Sequence, residues 1–370
     1  MSSDVQDFID AGLYDPDDPA AEAHLALLQF LADEMGASIP ELVQAHEEQT
    51  LVSMSAFRAL RPAGERVTLR EAAARAGADV GFAARVWRAA GFPEPRPHER
   101  RFSAADVEMM QLFRGTRDFV GEERTLQLVR TLGTAAAQVA EAEIALVRTS
   151  MEAPLVADGH LVDVARSYRT LVTELAPRLA AALDTLNRHH MEAIGRRYSG
   201  SSPSRANLVP LVVGFADLSD YTGISARLDP EQLGTMLDRF EATTSDLIAA
   251  AGANVAKRIG DAVMFVTNAP GVACGLALDL VDAVIAAGLP KLRVGLAFGD
   301  VVVRQGDFHG PTVNLAARLV ATADPGTVLT DTALHDRLSH ARASYVFVPA
   351  GRLTLSGFDA PVTAYQLLRA

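Results

Sequence analysis

The sequence predicts an α+β protein in which an all-helical part, residues 1–197, precedes a mixed part, residues 208–370. Three observations support this. Apolar residues recur at steps of three and four between Ala21 and about residue 197, as in amphipathic helices. A run of small polar residues at 198–207 is typical of a flexible linker. Beyond it, β-branched runs alternate with helical runs, which favours an α+β domain with an antiparallel-rich sheet.

Composition narrows the class of protein. A chain of 370 residues with 49% hydrophobic and 22% charged residues is folded and long enough for two domains. Its net charge of −12 argues against general binding to nucleic acid or anionic membranes. One cysteine, Cys274, excludes an internal disulfide. No signal peptide and no run of about 18 apolar residues is present, so we expect a cytoplasmic protein without a membrane span.

The helical part begins with two short helices, one with apolar steps from Leu25 to Met35 and one opened by the capping box Ser38–Glu41. Residues 56–113 then resemble a MerR-type helix-turn-helix with its wing, through Thr68–Ala73, Gly77 and Val86–Pro93. Arginines outnumber acidic residues there, as in a DNA-binding module. A helix-turn-helix is also a compact way to pack helices, so DNA binding stays the alternative and not the first interpretation.

Two long helical stretches follow, 122–151 and 159–197. Along the second, an apolar stripe from Leu161 to Ile194 includes His190, with His189 beside it. Pro177 interrupts this stretch and predicts a kink. Histidine changes charge between pH 5 and 8, so these two residues are candidates for a pH-dependent contact.

The mixed part supplies the remaining predicted elements. Strands are predicted at 208–215, 254–259, 263–267, 292–298, 301–303, 327–330, 345–348 and 362–367, and helices at 230–251, 271–287 and 332–338.

Two carboxylates in this part stand where strands end. Asp217 follows the apolar run Val212–Ala216, and Gly260–Asp261 lies between two β-prone runs as the tip of a hairpin. Such residues are commonly turn or cap residues. Together they offer the oxygen ligands that Mg²⁺ or Mn²⁺ takes alongside substrate phosphates.

A third motif favours the interpretation of the two carboxylates as part of a functional site. In Asp307–Arg318 a Gly-Pro turn opens a helix on which Asn314 and Arg318, at i and i+4, share one face. A guanidinium beside an amide is suited to a phosphate oxygen.

The three motifs together resemble the catalytic domain of class III nucleotidyl cyclases over residues 205–370. The resemblance implies a ferredoxin-like βαββαβ core. It implies that Asp217, Asp261 and the backbone carbonyl of Leu218 hold two divalent cations. It implies that Lys257 and Asp307 read the purine as adenine, so the substrate is ATP and not GTP. Asn314 and Arg318 match the residues that steady the ribose and the reacting phosphate.

The reaction implied is attack of the ribose 3′-oxygen on the α-phosphorus of ATP, giving 3′,5′-cyclic AMP and pyrophosphate. In the family the metal carboxylates and the purine-reading residues of one site come from two chains. A chain with both sets therefore implies a head-to-tail homodimer. Lys257 and Asp307 disfavour a guanylyl cyclase, and the hairpin lacks the Gly-Gly-Asp/Glu-Glu-Phe run of diguanylate cyclases.

One position departs from the family pattern. Many cyclases carry a Lys for the terminal phosphates in a Leu-Lys-Gly context, whereas this chain has Leu355-Ser356-Gly357. Arg304 and Arg352 are the two alternatives.

A long helical domain before a cyclase domain resembles the pH-responsive actinobacterial adenylyl cyclases. That resemblance implies an autoinhibitory N-terminal domain, pH sensing in which His189 and His190 take part, and a fatty acid as a further ligand. The alternative function is a transcriptional regulator that reads DNA through 56–113 and senses a nucleotide with a cyclase-like domain.

Overall fold

The computed structural model describes residues 5–60, 64–157, 159–198, 208–338 and 345–370. The chain divides into two compact units, Met1–Glu192 and Ala193–Ala370. Of the predicted linker 198–207, only Tyr198, the last residue of a helix, is within the described residues. Across these residues, no helix combines the length and apolar character that crossing a bilayer requires.

The described part of the first unit is helical, apart from a single bridge between Val67 and Phe102. Its helices are α1 (Val5–Asp10), α2 (Ala21–Gln29), α3 (Ile39–Glu47), α4 (Met54–Leu60), α5 (Leu69–Ala76), α6 (Val80–Ala89), α7 (Ala104–Val120), α8 (Glu122–Val147), α9 (Ala153–Ala157), α10 (Leu161–Thr170) and α11 (Ala176–Tyr198), the last of which continues past the unit's end.

The expected kink at Pro177 takes the form of a π-helical turn. Residues Leu171–Leu175 form this turn just before α11, and the N–H of Ala176 donates to the carbonyl of Leu171. A second π-helical turn, Arg148–Glu152, precedes Pro154 in the same way. Proline has no N–H and its ring collides with the carbonyl four residues earlier, so a locally wider turn lets the helix continue.

The helix-turn-helix predicted within 56–113 consists of α5 and α6, joined at Gly77 in the left-handed conformation. Thr68 and Ser103 begin α5 and α7 with capping boxes. On α8, Gly133 approaches the backbone of Ala90 so closely that a Cβ would lie 2.5 Å from the Ala90 oxygen. The N-terminal part of α8 therefore packs directly against the helix-turn-helix.

The second unit is a mixed sheet with helices on both faces, which confirms the predicted fold class. Its elements are β1 (Leu208–Leu218), α12 (Tyr221–Ser225), α13 (Pro230–Ala250), β2 (Asn254–Ile259), β3 (Ala262–Thr267), α14 (Pro270–Ala286), β4 (Leu292–Arg304), β5 (Asp307–His309), α15 (Pro311–Thr322), β6 (Val328–Asp331), α16 (Thr332–Leu338), β7 (Tyr345–Leu353) and β8 (Val362–Arg369). The strand order is β2-β3-β1-β4-β6-β8-β7, and β5 pairs with β4. Only β4 and β6 pair in parallel among the described strands.

Alternation along β1 assigns its side chains to two cores. Val212, Ala216 and Leu218 pack under α13 and α14, whereas Leu211, Val213 and Phe215 pack under α15. Asp217 continues the second series. Gly295 on β4 allows α15 to lie close, because a Cβ there would be 2.3 Å from the backbone nitrogen of Val320.

The strand predicted to stop at Phe298 instead continues to Arg304. Gly299 permits this, because a Cβ there would be 2.6 Å from the Thr312 hydroxyl of α15. Gln305 and Gly306 both have positive φ, 55° and 77°, as in a two-residue hairpin, and return the chain so that Asp307 pairs with Arg304.

A buried carboxyl at the end of β6 gives the second unit a stability that depends on pH. Asp331 is 5% exposed, and its Oδ1 accepts from the N–H groups of Leu334 (3.1 Å) and Phe298 (3.3 Å). Burial raises the pKa of Asp331 to about 6, from the 3.8 of an exposed group. The folded state thus holds this proton more tightly than the unfolded state. Its contribution to stability is full below pH 4, declines as pH rises to 6, and is constant above.

We expect Asp331→Asn to remove this dependence. The amide accepts the same two hydrogen bonds without a buried charge, so the free energy of unfolding should shift in favour of the variant by roughly 3 kcal/mol between pH 4 and 7. Urea unfolding of the full chain measures this by circular dichroism. The fluorescence of Trp87, the only tryptophan, reports the first unit separately. A constant difference between variant and wild type over that range would contradict the assignment.

Candidate functional site

Two carboxylates meet at one end of the sheet. Asp217 is the second-last residue of β1 and pairs with Ala262, and Asp261 follows Gly260 at the tip of the β2–β3 hairpin. The N–H of Leu218 donates to the Asp261 carbonyl at 3.3 Å and ties the two segments together. Burial, and then the neighbouring charge of Asp217, raise the pKa of Asp261, against a smaller opposing effect of Arg293.

This pair fits a divalent cation. A positive ion between the two carboxylates would offset the charge of Asp217 that disfavours ionisation of Asp261, and both donors are hard oxygens, the ligand type of Mg²⁺ and Mn²⁺. No group of three or more Asp, Glu, His or Cys side chains within the described ranges could hold a metal by itself. The pair would therefore need further ligands from a substrate, as such sites do with phosphates.

Arg293 completes this end of the sheet and was missed by the sequence analysis. It lies opposite Asp217 in the β1–β4 register and its guanidinium donates to the Asp217 carboxylate. Its Nε is buried and has no partner within the described structure. Arg293 thus adds a positive group, with an unused donor, beside the two carboxylates.

The predicted purine-reading residues are in direct contact. The Nζ of Lys257 donates to both carboxylate oxygens of Asp307, at 2.7 and 2.9 Å, although the residues are 50 positions apart. A bulge in β2 precedes Lys257. Burial opposes ionisation of Asp307, but hydrogen bonds from Lys257 and from the Phe308 N–H outweigh it, so the pKa of Asp307 is lowered. Both side chains are 38% exposed and remain within reach of a ligand.

Asn314 and Arg318 form the third predicted pair. Both are exposed on α15, one turn apart, and the Asn314 N–H donates to the Gly310 carbonyl in the first turn. Over the described residues, neither side chain forms a hydrogen bond or ion pair, with the carboxylates or otherwise. Within one chain, Asp217 therefore lies beside Asp261 and Lys257 contacts Asp307, whereas Asn314 and Arg318 face solvent.

Arg304 and Arg352, the two alternatives for binding the terminal phosphates, do not adjoin the carboxylate pair. Arg352 neighbours Leu353 on β7, and since Leu353 packs toward α15, Arg352 projects from the opposite face. Arg304 pairs with Asp307 in the β4–β5 hairpin. Ser356 is exposed beside Leu355, which packs against Leu319 of α15. Arg293 is the guanidinium that adjoins the carboxylate pair.

The two histidines predicted for a pH-dependent contact lie on α11. His189 and His190 are exposed, as are Leu183, Leu186 and Ile194 of the same stripe. In a single copy of the chain, the part of the stripe that carries His190 is therefore exposed. Helical periodicity identified the stripe correctly, but it does not say which surface covers it.

Six arginines of the helix-turn-helix segment 56–113 form ion pairs with acidic side chains. The ion pairs are Arg58 with Glu41, Arg75 with Glu65, Arg85 with Glu122, Arg88 with Glu94, Arg100 with Glu65 and Glu71, and Arg101 with Glu99. Phosphate binding would have to compete with these contacts. The arrangement therefore favours a packing role for the segment over a DNA-binding role.

Two family models cover nearly the whole chain. Residues 2–193 match the adenylate cyclase regulatory domain, and residues 206–369 match the adenylate and guanylate cyclase catalytic domain. The chain therefore belongs to the class III nucleotide cyclases. Within them it is an adenylate cyclase with an N-terminal regulatory domain, as its sequence resemblance implied.

Curated relatives share both parts. An uncharacterized protein of Mycobacterium tuberculosis (strain H37Rv) is 37% identical, over 96% of this chain and 92% of the relative. An adenylate cyclase of Streptomyces coelicolor is 34% identical, over 76% and 74%. A pH-sensitive adenylate cyclase of Mycobacterium tuberculosis (strain CDC 1551) is 29% identical, over 83% and 79%. Divalent metal ions and action as a dimer are typical of this family.

Proposed function

We propose that this adenylate cyclase forms 3′,5′-cyclic AMP and pyrophosphate from ATP with two divalent cations, at sites shared between two copies of the chain. The observation that carries the proposal is the meeting of Asp217 and Asp261 at one end of the sheet. Formation of cyclic AMP from ATP by the full chain, with Mn²⁺ and not without a divalent cation, tests it.

Asp217, Asp261 and the carbonyl of Leu218 are the proposed metal ligands. When bound, the cations make the ribose 3′-hydroxyl more acidic and offset the charge of the phosphates. The protein contributes position and electrostatics, and no covalent intermediate with a side chain is needed. Arg293, which donates to Asp217 and has an unpaired Nε, would offer the terminal phosphates a guanidinium in place of the lysine that is absent at Ser356.

Lys257 and Asp307 are the proposed adenine readers. Adenine presents ring nitrogens to an ammonium donor and an exocyclic amine to a carboxylate acceptor. Their mutual hydrogen bonds, at 2.7 and 2.9 Å, hold both at one place.

The double substitution Lys257→Glu with Asp307→Cys should lower the preference for ATP over GTP by about tenfold or more, because it removes the donor and the acceptor that adenine requires. The ratio of kcat/KM for the two nucleotides measures it. Arg258→Glu is the matched control, because Arg258 is adjacent in β2 but bonds Ser245 and Glu241 instead. Unchanged discrimination in the double variant would refute the assignment.

Asn314 and Arg318 are proposed to act on the ribose and the reacting phosphate from the second copy. Their exposure, and the absence of any bond to the carboxylates among the described residues, support a role across a head-to-tail interface. In such a dimer each site takes Asp217 and Asp261 from one copy and the four remaining residues from the other.

The N-terminal unit is proposed to restrain the cyclase unit and to release it as pH changes. His189 and His190 lie on α11, which passes from the first unit into the second. Histidine is the side chain whose charge changes between pH 5 and 8, and a charge on an exposed apolar stripe would disfavour a packed partner there.

Replacing both histidines by Asn should flatten the pH dependence of cyclic AMP formation between pH 5 and 8, with activity at the optimum retained. His98→Asn is the control, an exposed histidine elsewhere in the first unit. A profile identical to that of the wild type would exclude these two residues as the sensor.

The fatty acid implied by the family remains a prediction. The first unit contains a cavity of about 750 Å³ lined by Met35, Met54 and Phe57 together with Arg58 and Arg169. Glu41, Gln44 and Glu48 also line this cavity, and Arg58 pairs with Glu41, so the fatty acid rests on the family resemblance alone.

A further inference from the structure

Thr312 is a buried polar residue in the first turn of α15, the helix that carries Asn314. Its side chain is 9% exposed, and its hydroxyl donates to the backbone carbonyl of Asp300 on β4 at 3.0 Å. A threonine within a helix commonly donates to the carbonyl four residues earlier in the same helix, as Thr244 and Thr322 do. The Thr312 hydroxyl instead joins its helix to a strand of the sheet.

The acceptor of this hydrogen bond lies between two paired stretches of β4. On the edge away from β1, β4 pairs with β6 through residues 294–296 and with β5 through residues 302–304. The N–H of Phe298 points to that edge, since it donates to the Asp331 side chain at the end of β6. Backbone groups alternate in direction along a strand, so Asp300 points to the same edge. Thr312 thus supplies there a donor of the kind that a neighbouring strand supplies on either side.

Two glycines of β4 let α15 lie against this strand at two points. A Cβ on Gly299 would be 2.6 Å from the Thr312 hydroxyl oxygen, and a Cβ on Gly295 would be 2.3 Å from the backbone nitrogen of Val320. The second contact fixes the C-terminal half of α15, and the first fixes the end that carries Asn314. The two contacts together set the tilt and the rotation of α15 on the sheet.

We propose that Thr312 is a positioning residue for the reaction. Its hydrogen bond to β4 holds α15 in the orientation that presents Asn314 and Arg318 to the ribose and the reacting phosphate. The inference rests on the role of these two residues in the proposed function. Thr312 is buried and acts through them. Misplacing a group that acts in the transition state by about 1 Å costs on the order of a hundredfold in rate, so this single bond is a sensitive point.

Thr312→Val keeps the size of the side chain and removes the donor. It should lower kcat for cyclic AMP formation by about tenfold or more and leave KM for ATP within about twofold, because Asn314 and Arg318 act in the transition state. Thr312→Ser keeps the hydroxyl and should retain most of the wild-type kcat. Thr244→Val is the matched control, because Thr244 is 1% exposed and its hydroxyl bonds within α13 to the Phe240 carbonyl. This control should leave kcat unchanged.

Gly299→Ala disturbs the same contact from the strand side, because its methyl carbon would lie 2.6 Å from the Thr312 hydroxyl. It should reproduce the loss of kcat at an unchanged KM. Urea unfolding followed by circular dichroism identifies a variant that has lost its fold, in which case the other variant decides. A wild-type kcat in the folded variants, an equal loss in Thr312→Ser, or a raised KM alone would overturn the proposal.

Asn314→Ala separates this inference from the proposed function. If Asn314→Ala lowers kcat and Thr312→Val does not, the inference alone fails. If Asn314→Ala keeps the wild-type kcat, the role proposed for α15 fails and the inference fails with it.

Mixing variants locates the effect of Thr312 in one half-site. Thr312→Val mixed with Asp261→Asn should regain about a quarter of wild-type activity, because half of the dimers are mixed and each has one unchanged site. Thr312→Val mixed with Asn314→Ala should gain nothing, because both changes lie in the same half-site. Recovery in the second mixture would contradict the assignment.

Discussion

Asp261→Asn should lower the rate of cyclic AMP formation from ATP by about a hundred- to a thousandfold. The amide keeps the size of the side chain but removes the negative charge that would hold a divalent cation. Burial and the charge of Asp217 already disfavour ionisation of Asp261, so the carboxylate pair is an unfavourable arrangement that a cation relieves. The measurement is the initial rate at saturating ATP and Mn²⁺, with a Mn²⁺ titration to follow the loss of metal affinity.

Asp220→Asn is the matched control for this prediction. Asp220 lies three residues after Asp217 and is exposed, and its φ of 61° is one that asparagine also adopts readily. The control should therefore keep its fold and most of its activity. If Asp261→Asn kept a rate within about tenfold of the wild type, two-metal catalysis through this pair would be refuted.

Local signals in the sequence predicted the carboxylate end of the site well. The run before Asp217 is apolar and β-branched, and Gly260–Asp261 is turn chemistry between two strands, so both positions followed from neighbouring residues. The structure places the two segments side by side, with Asp217 pairing to Ala262.

Inference from neighbouring residues could not predict contacts between residues that are distant in the sequence. Arg293 reaches Asp217 only because β4 pairs with β1 in one register, and a one-residue shift would turn it to the other face. The contact of Lys257 with Asp307 spans 50 residues. Family resemblance implied that both residues read the purine, but nothing local in the sequence placed them in contact. The extension of β4 past Gly299 depends on how closely Thr312 approaches.

The helical unit shows a different limit. The position of Pro177 predicted where the second long helix is disturbed, but not that a π-helical turn absorbs the disturbance. Apolar periodicity found the stripe of α11, which is exposed in one copy of the chain. Apolar periodicity identifies the apolar face of a helix, but the role of that face depends on the surface that packs against it.

Mixing two inactive variants should restore activity if the site is shared between copies. Asp261→Asn removes the metal end of both sites, and Asn314→Ala removes the transition-state end of both. After subunit exchange about half of the dimers are mixed, and each mixed dimer has one site with neither substitution, so about a quarter of wild-type activity should return.

Asp217→Asn mixed with Asp261→Asn is the control, and it should stay inactive because both changes lie in the same half-site. Exchange itself is followed by fluorescence transfer between labelled chains. Exposure of Asn314 and Arg318 away from the carboxylates supports the shared site. Exchange without recovery would mean that each chain builds its own site, with α15 closing on the carboxylates of the same copy.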